Sequence, residues 1–485
     1  MAKKGISTGF AWKLLERFGV LGTQFVLQIV LARILDPGHY GALSIMIIFT
    51  TLANVFIQNG FNTALIQNKD VTEEDYSSVF WVSLIIACGL YWVIFVSSPL
   101  IAMVYKMEYI ITPLRVLALM LFPGALNSVQ IAKVSRELDF KKVFISNLGG
   151  IVVSGAAGIA IALLGGGLWA LVAQTLLNVV VVCIVMRFTV KLKLRLACNF
   201  DRVKTLFAFG WKLLVSSLID TLYADLRSLV IGVKYDEDTL GYYNRGKQFP
   251  QFIINAVNGA VQSVMLPVMS AQQDDKTRIK TMMRNSIMLS AYIVFPVMAG
   301  LAAVATPLVS VLLTDKWLPC VPYMQVYCFS LAFYPVHSCN LQAINAMGRS
   351  DIFLKLEIIK KSYGLVLLTI AVFCFDSPLA IAATGLITTL IGWFVNAHPN
   401  KKLISYSYKD QIFDQLPSII ITVVMCCSVL LIGRLDMSYA AVLPIQIVTG
   451  IAVYVVLSAI VKPVPYKMLI EIIKKALDKR KAKKA

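Results

Sequence analysis

Phe10-Ala11-Trp12-Lys13-Leu14-Leu15 opens an apolar stretch that runs to Ile34, and 199 positions later Phe209-Gly210-Trp211-Lys212-Leu213-Leu214 opens another. The match continues in order. Asp36 and Gly41 return as Asp236 and Gly241, and Pro123, Gln130 and Asp139 return as Pro335, Gln342 and Asp351, with the offset drifting from 199 to 200 to 212. Ordered matches at a slowly drifting offset mark an internal repeat. Six apolar stretches separate one opening from the next, and an even number of crossings restores orientation. The two copies are therefore expected to be parallel, related by an axis along the membrane normal.

Those stretches are membrane spans on composition alone. Of 485 residues 58% are apolar and 15% charged, with a mean hydropathy of +0.76, against roughly 45–50% and about 25% in soluble domains. Fourteen stretches approach the roughly 20 apolar residues that a helix needs to cross a bilayer. They lie near 11–34, 41–66, 79–104, 110–132, 143–164, 167–188, 205–231, 241–267, 285–313, 321–345, 355–375, 378–397, 415–434 and 439–461. The expected architecture is an all-α polytopic membrane protein with two six-helix lobes, 1–198 and 199–400, around a central cavity. Spans 13 and 14 (401–463) and a basic tail (464–485) follow.

The net charge of +19 reports topology. Most of the 45 Lys and Arg lie in the tails and in links on the terminal side, which the positive-inside rule places in the cytoplasm. No basic face interleaved with aromatics suggests nucleic acid. The opposite links, Asp36–Tyr40, Gly165–Gly167, Asp376–Ser377 and Asp236–Leu240, are too short to house a catalytic domain. The first apolar stretch is too long for a signal-peptide core and is expected to stay in the mature chain. The tail alternates Leu469, Ile472, Ile473 and Leu477 with lysines, the pattern of an amphipathic helix lying on an anionic leaflet.

Polar residues inside spans are costly and mark cavities. At 100° per residue, Lys13, Arg17, Gln24 and Gln28 fall within about 60° of one another, and Lys212, Ser216, Asp220, Tyr223 and Arg227 within about 80°. The second helix of each copy repeats the theme with Thr51, Asn54, Gln58 and Asn62, and with Asn244, Gln248, Gln251, Asn255 and Gln262. Four striped helices outline a hydrated cleft between the lobes. Asp220, near mid-span, is placed either to carry a coupling ion or to balance cations. His337 and Asn340 read as interhelical hydrogen-bonding groups.

No cofactor or metal signature accompanies them. Gly241-Tyr-Tyr-Asn-Arg-Gly246-Lys247 fits G-x-x-x-x-G-K, but Gln248 stands where a phosphate loop needs Ser or Thr, and no strand precedes it. The nine cysteines form no CxxC or ligand spacing and read as small buried apolar groups. An ion gradient is the expected energy source.

Leu31-Ala-Arg-Ile-Leu-Asp-Pro-Gly-His-Tyr-Gly41, Ala64-Leu-Ile-Gln67, Phe80-Trp81, Gly241-Tyr-Tyr-Asn-Arg245, Lys316-Trp-Leu-Pro319 and Gly348-Arg-Ser-Asp351 followed by Lys355-Leu-Glu357 are a recognisable set. In this order, over about the first 400 residues, they resemble the polysaccharide transporters of the multidrug/oligosaccharidyl-lipid/polysaccharide flippase superfamily. The resemblance is to the Wzx-type branch related to colanic and teichuronic acid exporters. It implies a non-enzymatic flippase of the bacterial cytoplasmic membrane with both termini inside. Such a protein moves a polyprenyl-diphosphate-linked oligosaccharide to the outer leaflet by alternating access, for surface polysaccharide assembly, alongside polymerase and export machinery. On that basis Lys13, Arg17, Arg227 and Arg245 are candidates for the anionic head. Gln24, Gln28, Asn54, Gln58, Tyr223, Gln251 and Asn255 are candidates for the glycan. The family also implies a lateral portal beside the first and eighth spans. Two alternatives stand beside this reading: a cation-coupled multidrug exporter of the same superfamily, disfavoured by two cations and no acid on the first polar face, and a membrane glycan polymerase, disfavoured by the short outer links.

Overall fold

The computed structural model describes residues 19–58, 62, 65–66, 71–137, 139–190, 192, 194–195, 199–270 and 275–482. Among them there are helices and turns and no strand. The chain falls into two compact units, Met1–Gly241 and Tyr242–Ala485.

The first unit contains α1 (Gly19–Ile34), α2 (Pro37–Gln58), α3 (Glu73–Tyr105), α4 (Ile111–Ala118), α5 (Leu121–Glu137), α6 (Phe140–Leu163), α7 (Leu168–Thr189) and α8 (Phe200–Lys234). α9 (Glu237–Ser270) begins just before the division. The second unit continues with α10 (Lys276–Ala303), α11 (Ala305–Leu313), α12 (Val321–Ala332), α13 (Tyr334–Ala346), α14 (Ser350–Cys374), α15 (Pro378–Leu403), α16 (Tyr408–Ile432), α17 (Tyr439–Val461) and α18 (Val464–Ala482). Nine helical segments among the described residues are long and apolar enough to cross a membrane. A tenth is obtained if α8, bent by 49° near Gly210, counts as one span. Each of the fourteen expected stretches overlaps a helix, several of them short, broken or charge-bearing. α8, which opens the second sequence repeat, packs on α2 and α3.

Two of the short links are shorter than the sequence suggested. α2 starts at Pro37 and α9 at Glu237, so the stretches Asp36–Tyr40 and Asp236–Leu240 are mostly first helical turns. The reason is capping: the Asp236 carboxylate accepts the Thr239 N–H at 2.7 Å, and Asp36 stands at the matching place before a proline, a residue suited to the first turn. The repeated glycines then meet. A Cβ on Gly41 would lie 1.9 Å from the Glu237 carbonyl oxygen, and one on Gly241 would lie 2.1 Å from that of Pro37. Each copy of the motif supplies the flat surface on which the other's backbone rests.

Other glycines close the α6–α7 pair. A Cβ on Gly150 would sit 2.6 Å from Val182, and one on Gly158 would sit 2.8 Å from Gln174. Lipid tails supply little net drive to associate, so helices gain by backbone proximity at small residues.

Two prolines inside spans release carbonyls that the fold recaptures. Pro99 cannot bond the Phe95 carbonyl. Arg115 of α4 donates to it at 3.3 Å and to Ser98 Oγ at 2.8 Å, with its guanidinium 4.0 Å from the Phe95 ring centroid. Pro296 leaves the Tyr292 carbonyl, which the Tyr454 hydroxyl of α17 donates to at 2.6 Å. Capping boxes start α3 (Thr72 with Asp75) and α16 (Ser407 with Asp410). At the link before α14, Gly348 takes φ +70°, and a bidentate bond from Arg349 holds the exposed Asp351 carboxyl down at about 2. α18 packs on α10.

Candidate functional site

The polar stripe of α8 is the clearest candidate in the first unit. Asp220 is exposed, and Tyr223 and Arg227 are half-buried, while Leu214, Ser228, Ile231 and Gly232 on the packed face are buried. At this depth, surface left uncovered by protein meets either lipid or water. Ionisable side chains on it favour water.

On α1, Gln24 and Gln28 are half-buried, beside Leu27, which fills the space over Gly155 of α6. Asn54 of α2 turns inward: its Oδ1 lies 3.2 Å from where a Cβ on Gly124 of α5 would be, and has no hydrogen-bond partner. Gln58 ends α2 and is half-buried. Lys13 and Arg17 lie outside the described residues.

In the second unit Gln251 donates to Asn255 at 2.8 Å, so these two expected glycan groups form one amide pair. Arg245 is placed differently from an open anion ligand. It is 4% exposed, 4.9 Å from the Trp317 ring centroid and bonded through Nη1 to Gln248 at 2.6 Å. Gly246 meets the Cys320 carbonyl and Gly241 the Pro37 carbonyl, which explains the spacing of the G-x-x-x-x-G-K stretch by helix packing.

A groove of about 460 Å³ opens in the same unit among α9, α10, α16 and α17. Its lining, including Pro296, Gly300, Met425, Val429, Gly450 and Tyr454, is almost wholly apolar. Composition gave no sign of it, since every lining residue also reads as ordinary span.

Sequence reasoning also passed over a buried amide cluster. Asn340 and Gln411 bond each other reciprocally, at 3.0 and 2.9 Å. Asn400 donates to Asn340 Oδ1 at 2.8 Å, and Trp393 Nε1 donates to Gln411 Oε1 at 3.2 Å. His337 Nδ1 meets Asn396 Nδ2 at 3.1 Å. The interhelical reading of His337 and Asn340 fits this geometry. The available signal was the four-residue spacing of Asn396 with Asn400 and of Gln411 with Gln415.

Residues 30–322, more than half of the chain, match the family described as polysaccharide biosynthesis protein. The chain belongs to that family. Among relatives of this family member, the teichuronic acid biosynthesis protein TuaB of Bacillus subtilis (strain 168) is 25% identical over 352 residues, 72% of this chain and 73% of TuaB. The lipopolysaccharide biosynthesis protein WzxC of Escherichia coli (strain K12) is 22% identical over 421 residues, 85% of this chain and 84% of WzxC. Among solved structures, lipid II flippase MurJ in an inward closed conformation superposes with a TM-score of 0.73 at 16% identity. The match covers 96% of this chain and 99% of MurJ. An inward-facing multidrug resistance MATE transporter of the MOP superfamily gives 0.62 at 17% identity, covering 81% and 99%. The family member thus has the MurJ and MATE fold, and it is a multi-pass membrane protein.

Proposed function

We propose that this protein is a flippase that carries a polyprenyl-diphosphate-linked oligosaccharide across the bacterial cytoplasmic membrane for surface polysaccharide assembly, with both termini in the cytoplasm. The observation that carries the reading is the stripe of Asp220, exposed, with Tyr223 and Arg227, half-buried, on a helix otherwise suited to lipid. Such a stripe lines a hydrated path for a polar head. Arg227, with Arg17 and Lys13, supplies cations for a diphosphate, for which guanidinium geometry is suited. The amides Gln24, Gln28, Gln58, Gln251 and Asn255, with Tyr223, offer donors and acceptors to sugar hydroxyls. Arg245, stacked on Trp317, positions α9. Asn54, facing Gly124, supports α2 and α5. The apolar groove along α10, α16 and α17 suits the isoprenoid chain, which stays at bilayer depth while the head crosses. Family membership and the names of TuaB and WzxC support the substrate class. An ion gradient supplies the energy, and polymerase or export proteins take up the product.

The test is Arg17→Ala with Arg227→Ala, assayed for surface polysaccharide and for lipid-linked precursor in the native host. Lost polymer with accumulated precursor is expected. Normal export without precursor build-up would refute the assignment of these residues, and export of cationic drugs in its place would favour a multidrug exporter.

A further inference from the structure

The apolar groove among α9, α10, α16 and α17 contains one polar group that the fold leaves unused. Among the described residues that line it, none carries a charge, and Gln446 of α17 brings the only side-chain amide. Gln446 is 2% exposed, and its Oε1 has no hydrogen-bond partner. Its Nε2 donates to the Val429 carbonyl at 3.0 Å, an oxygen that also accepts the Gly433 N–H at 3.1 Å. Turning the amide over would set oxygen against oxygen, so this orientation is fixed by its surroundings. Tyr454, also in the lining, already donates its hydroxyl to the Tyr292 carbonyl at 2.6 Å.

These facts define a ligand by its chemistry. A buried acceptor without a donor carries an uncompensated desolvation penalty, which a donor on a ligand removes. A charged head would find no counter-ion in the groove and would lose its hydration. An isoprenoid chain has no donor, so the chain of a diphosphate-linked sugar fills the groove without satisfying Gln446. An apolar body with one neutral hydroxyl meets both conditions. The volume of about 460 Å³ lies within the ~300–1,000 Å³ of small-molecule sites. Gln446 is the first of the α17 residues in the lining, and a Cβ on Gly433, which follows the end of α16, would lie 2.7 Å from its Nε2. From this end the α17 wall runs to Val455, about 14 Å along the helix axis, which leaves room for a chain. The opposite wall favours a branched one. Over Gly300 of α10 a Cβ would meet only Met425 Cε, at 3.8 Å, so the wall has space there for a methyl group.

We propose that this groove binds a free isoprenoid alcohol, its hydroxyl donating to Gln446 Oε1 and a methyl branch seated over Gly300. In that position the alcohol excludes the isoprenoid chain of the lipid-linked substrate and inhibits export by competition. The inhibition rests on the flippase reading; the binding itself does not.

The experiment uses the full chain in phosphatidylcholine nanodiscs, titrated with tritiated farnesol against empty nanodiscs. Farnesyl methyl ether, which has no donor, and pentadecanol, which has as many carbons but no branch, serve as competitors. Saturable farnesol binding is expected, roughly three- to tenfold tighter than that of the ether, the range of one net hydrogen bond. Gln446→Leu is expected to bring farnesol down to the ether. Pentadecanol is expected to compete more weakly than farnesol, and Gly300→Ala to narrow that gap. The comparison of alcohol with ether needs no variant, so it decides the matter even if Gln446→Leu does not fold. Equal binding of farnesol and ether would overturn the bond to Gln446, whose oxygen would then be a water acceptor. Pentadecanol binding as tightly as farnesol would overturn the isoprenoid assignment, and absence of saturable binding would overturn the site. Export is scored separately. A chain that binds farnesol but exports no polysaccharide would refute the transport reading and leave the site standing, whereas export unaffected by saturating farnesol would overturn the inhibition.

Discussion

Replacing Gly41 by alanine tests the tightest contact in the fold. The added Cβ would start 1.9 Å from the Glu237 carbonyl oxygen, whereas a carbon and a carbonyl oxygen settle at about 3.3 Å or more. The crossing must therefore open by roughly 1.4 Å. Both clashing partners, Glu237 and Pro37, are backbone of helical first turns, so no flexible side chain can yield. Overpacking of this kind costs about 1–3 kcal/mol, and the rigid partners put this case in the upper part of that range. Alanine's better helix propensity returns only about 0.5–1 kcal/mol. Gly89 is the control, since a Cβ there meets nothing within 4 Å and alanine brings the propensity gain alone. The assay is thermal unfolding of the purified chain in one detergent, followed by tryptophan fluorescence. Gly41→Ala and Gly241→Ala are each expected to lower the midpoint, and Gly89→Ala to hold or raise it. Both clashes lie at one crossing, so opening it for one admits the other, and the double variant should lose less than the sum of the singles. Equal midpoints for Gly41→Ala and Gly89→Ala would refute the contact, and strict additivity would refute a shared crossing.

Arg115→Leu strands the carbonyl released by Pro99 and should cost about 1–3 kcal/mol; adding Pro99→Ala restores the helical bond and should recover most of the lost midpoint, and no recovery would separate the two residues. Gly158→Leu forces α6 from α7 at Gln174 and should reduce folded protein in the membrane, measured by fluorescence-detected size exclusion, while Gly22→Leu, with open space around its Cβ, should not. Gly300→Phe, at a groove position where a Cβ meets only Met425 at 3.8 Å, fills the apolar groove and is expected to slow polysaccharide export several-fold at unchanged protein level; unchanged export would remove the groove from the route of the lipid chain. For Asp351, the folded-state carboxyl lies below its ordinary value, so its pairing with Arg349 stabilises at all pH above the usual carboxylate range and is lost only as pH falls toward about 2. Asp351→Asn should consequently shift the unfolding midpoint equally at pH 6 and pH 8, and a shift that differed between them would refute it.

The membrane helices were legible because hydropathy is a property of the chain alone. Asp36-Pro37 and Asp236-Glu237 show where that reading stops. A short polar run reads as a link, although aspartate followed by a helix-starting residue is also how a helix begins, and only the Asp236-to-Thr239 bond decides between them. Helical angle places Asp220, Tyr223 and Arg227 on one side of α8, and in the fold Asp220 is exposed and the other two are half-buried. It could not show that Asn54, equally striped, faces Gly124, nor that Arg245 lies under Trp317. Angle gives a side of one helix, and what covers that side depends on a second helix far along the chain.

That distinction separates two uses of polarity inside the membrane. On α8 the polar side chains of the stripe are exposed or half-buried, within reach of a moving head, and Leu214, Ser228 and Ile231 make the buried face. In α13, α15 and α16 they are enclosed and bonded to one another across helices, so removing one disturbs the others. Arg227→Ala should accordingly lower the unfolding midpoint less than Asn340→Leu does while export falls, whereas Asn340→Leu should lower the midpoint before any question of transport arises, because it leaves Gln411 and Asn400 donors without their acceptor. If Arg227→Ala instead destabilised the chain as strongly as Asn340→Leu, the α8 stripe would be part of the packing, and the flippase reading would lose the observation that carries it.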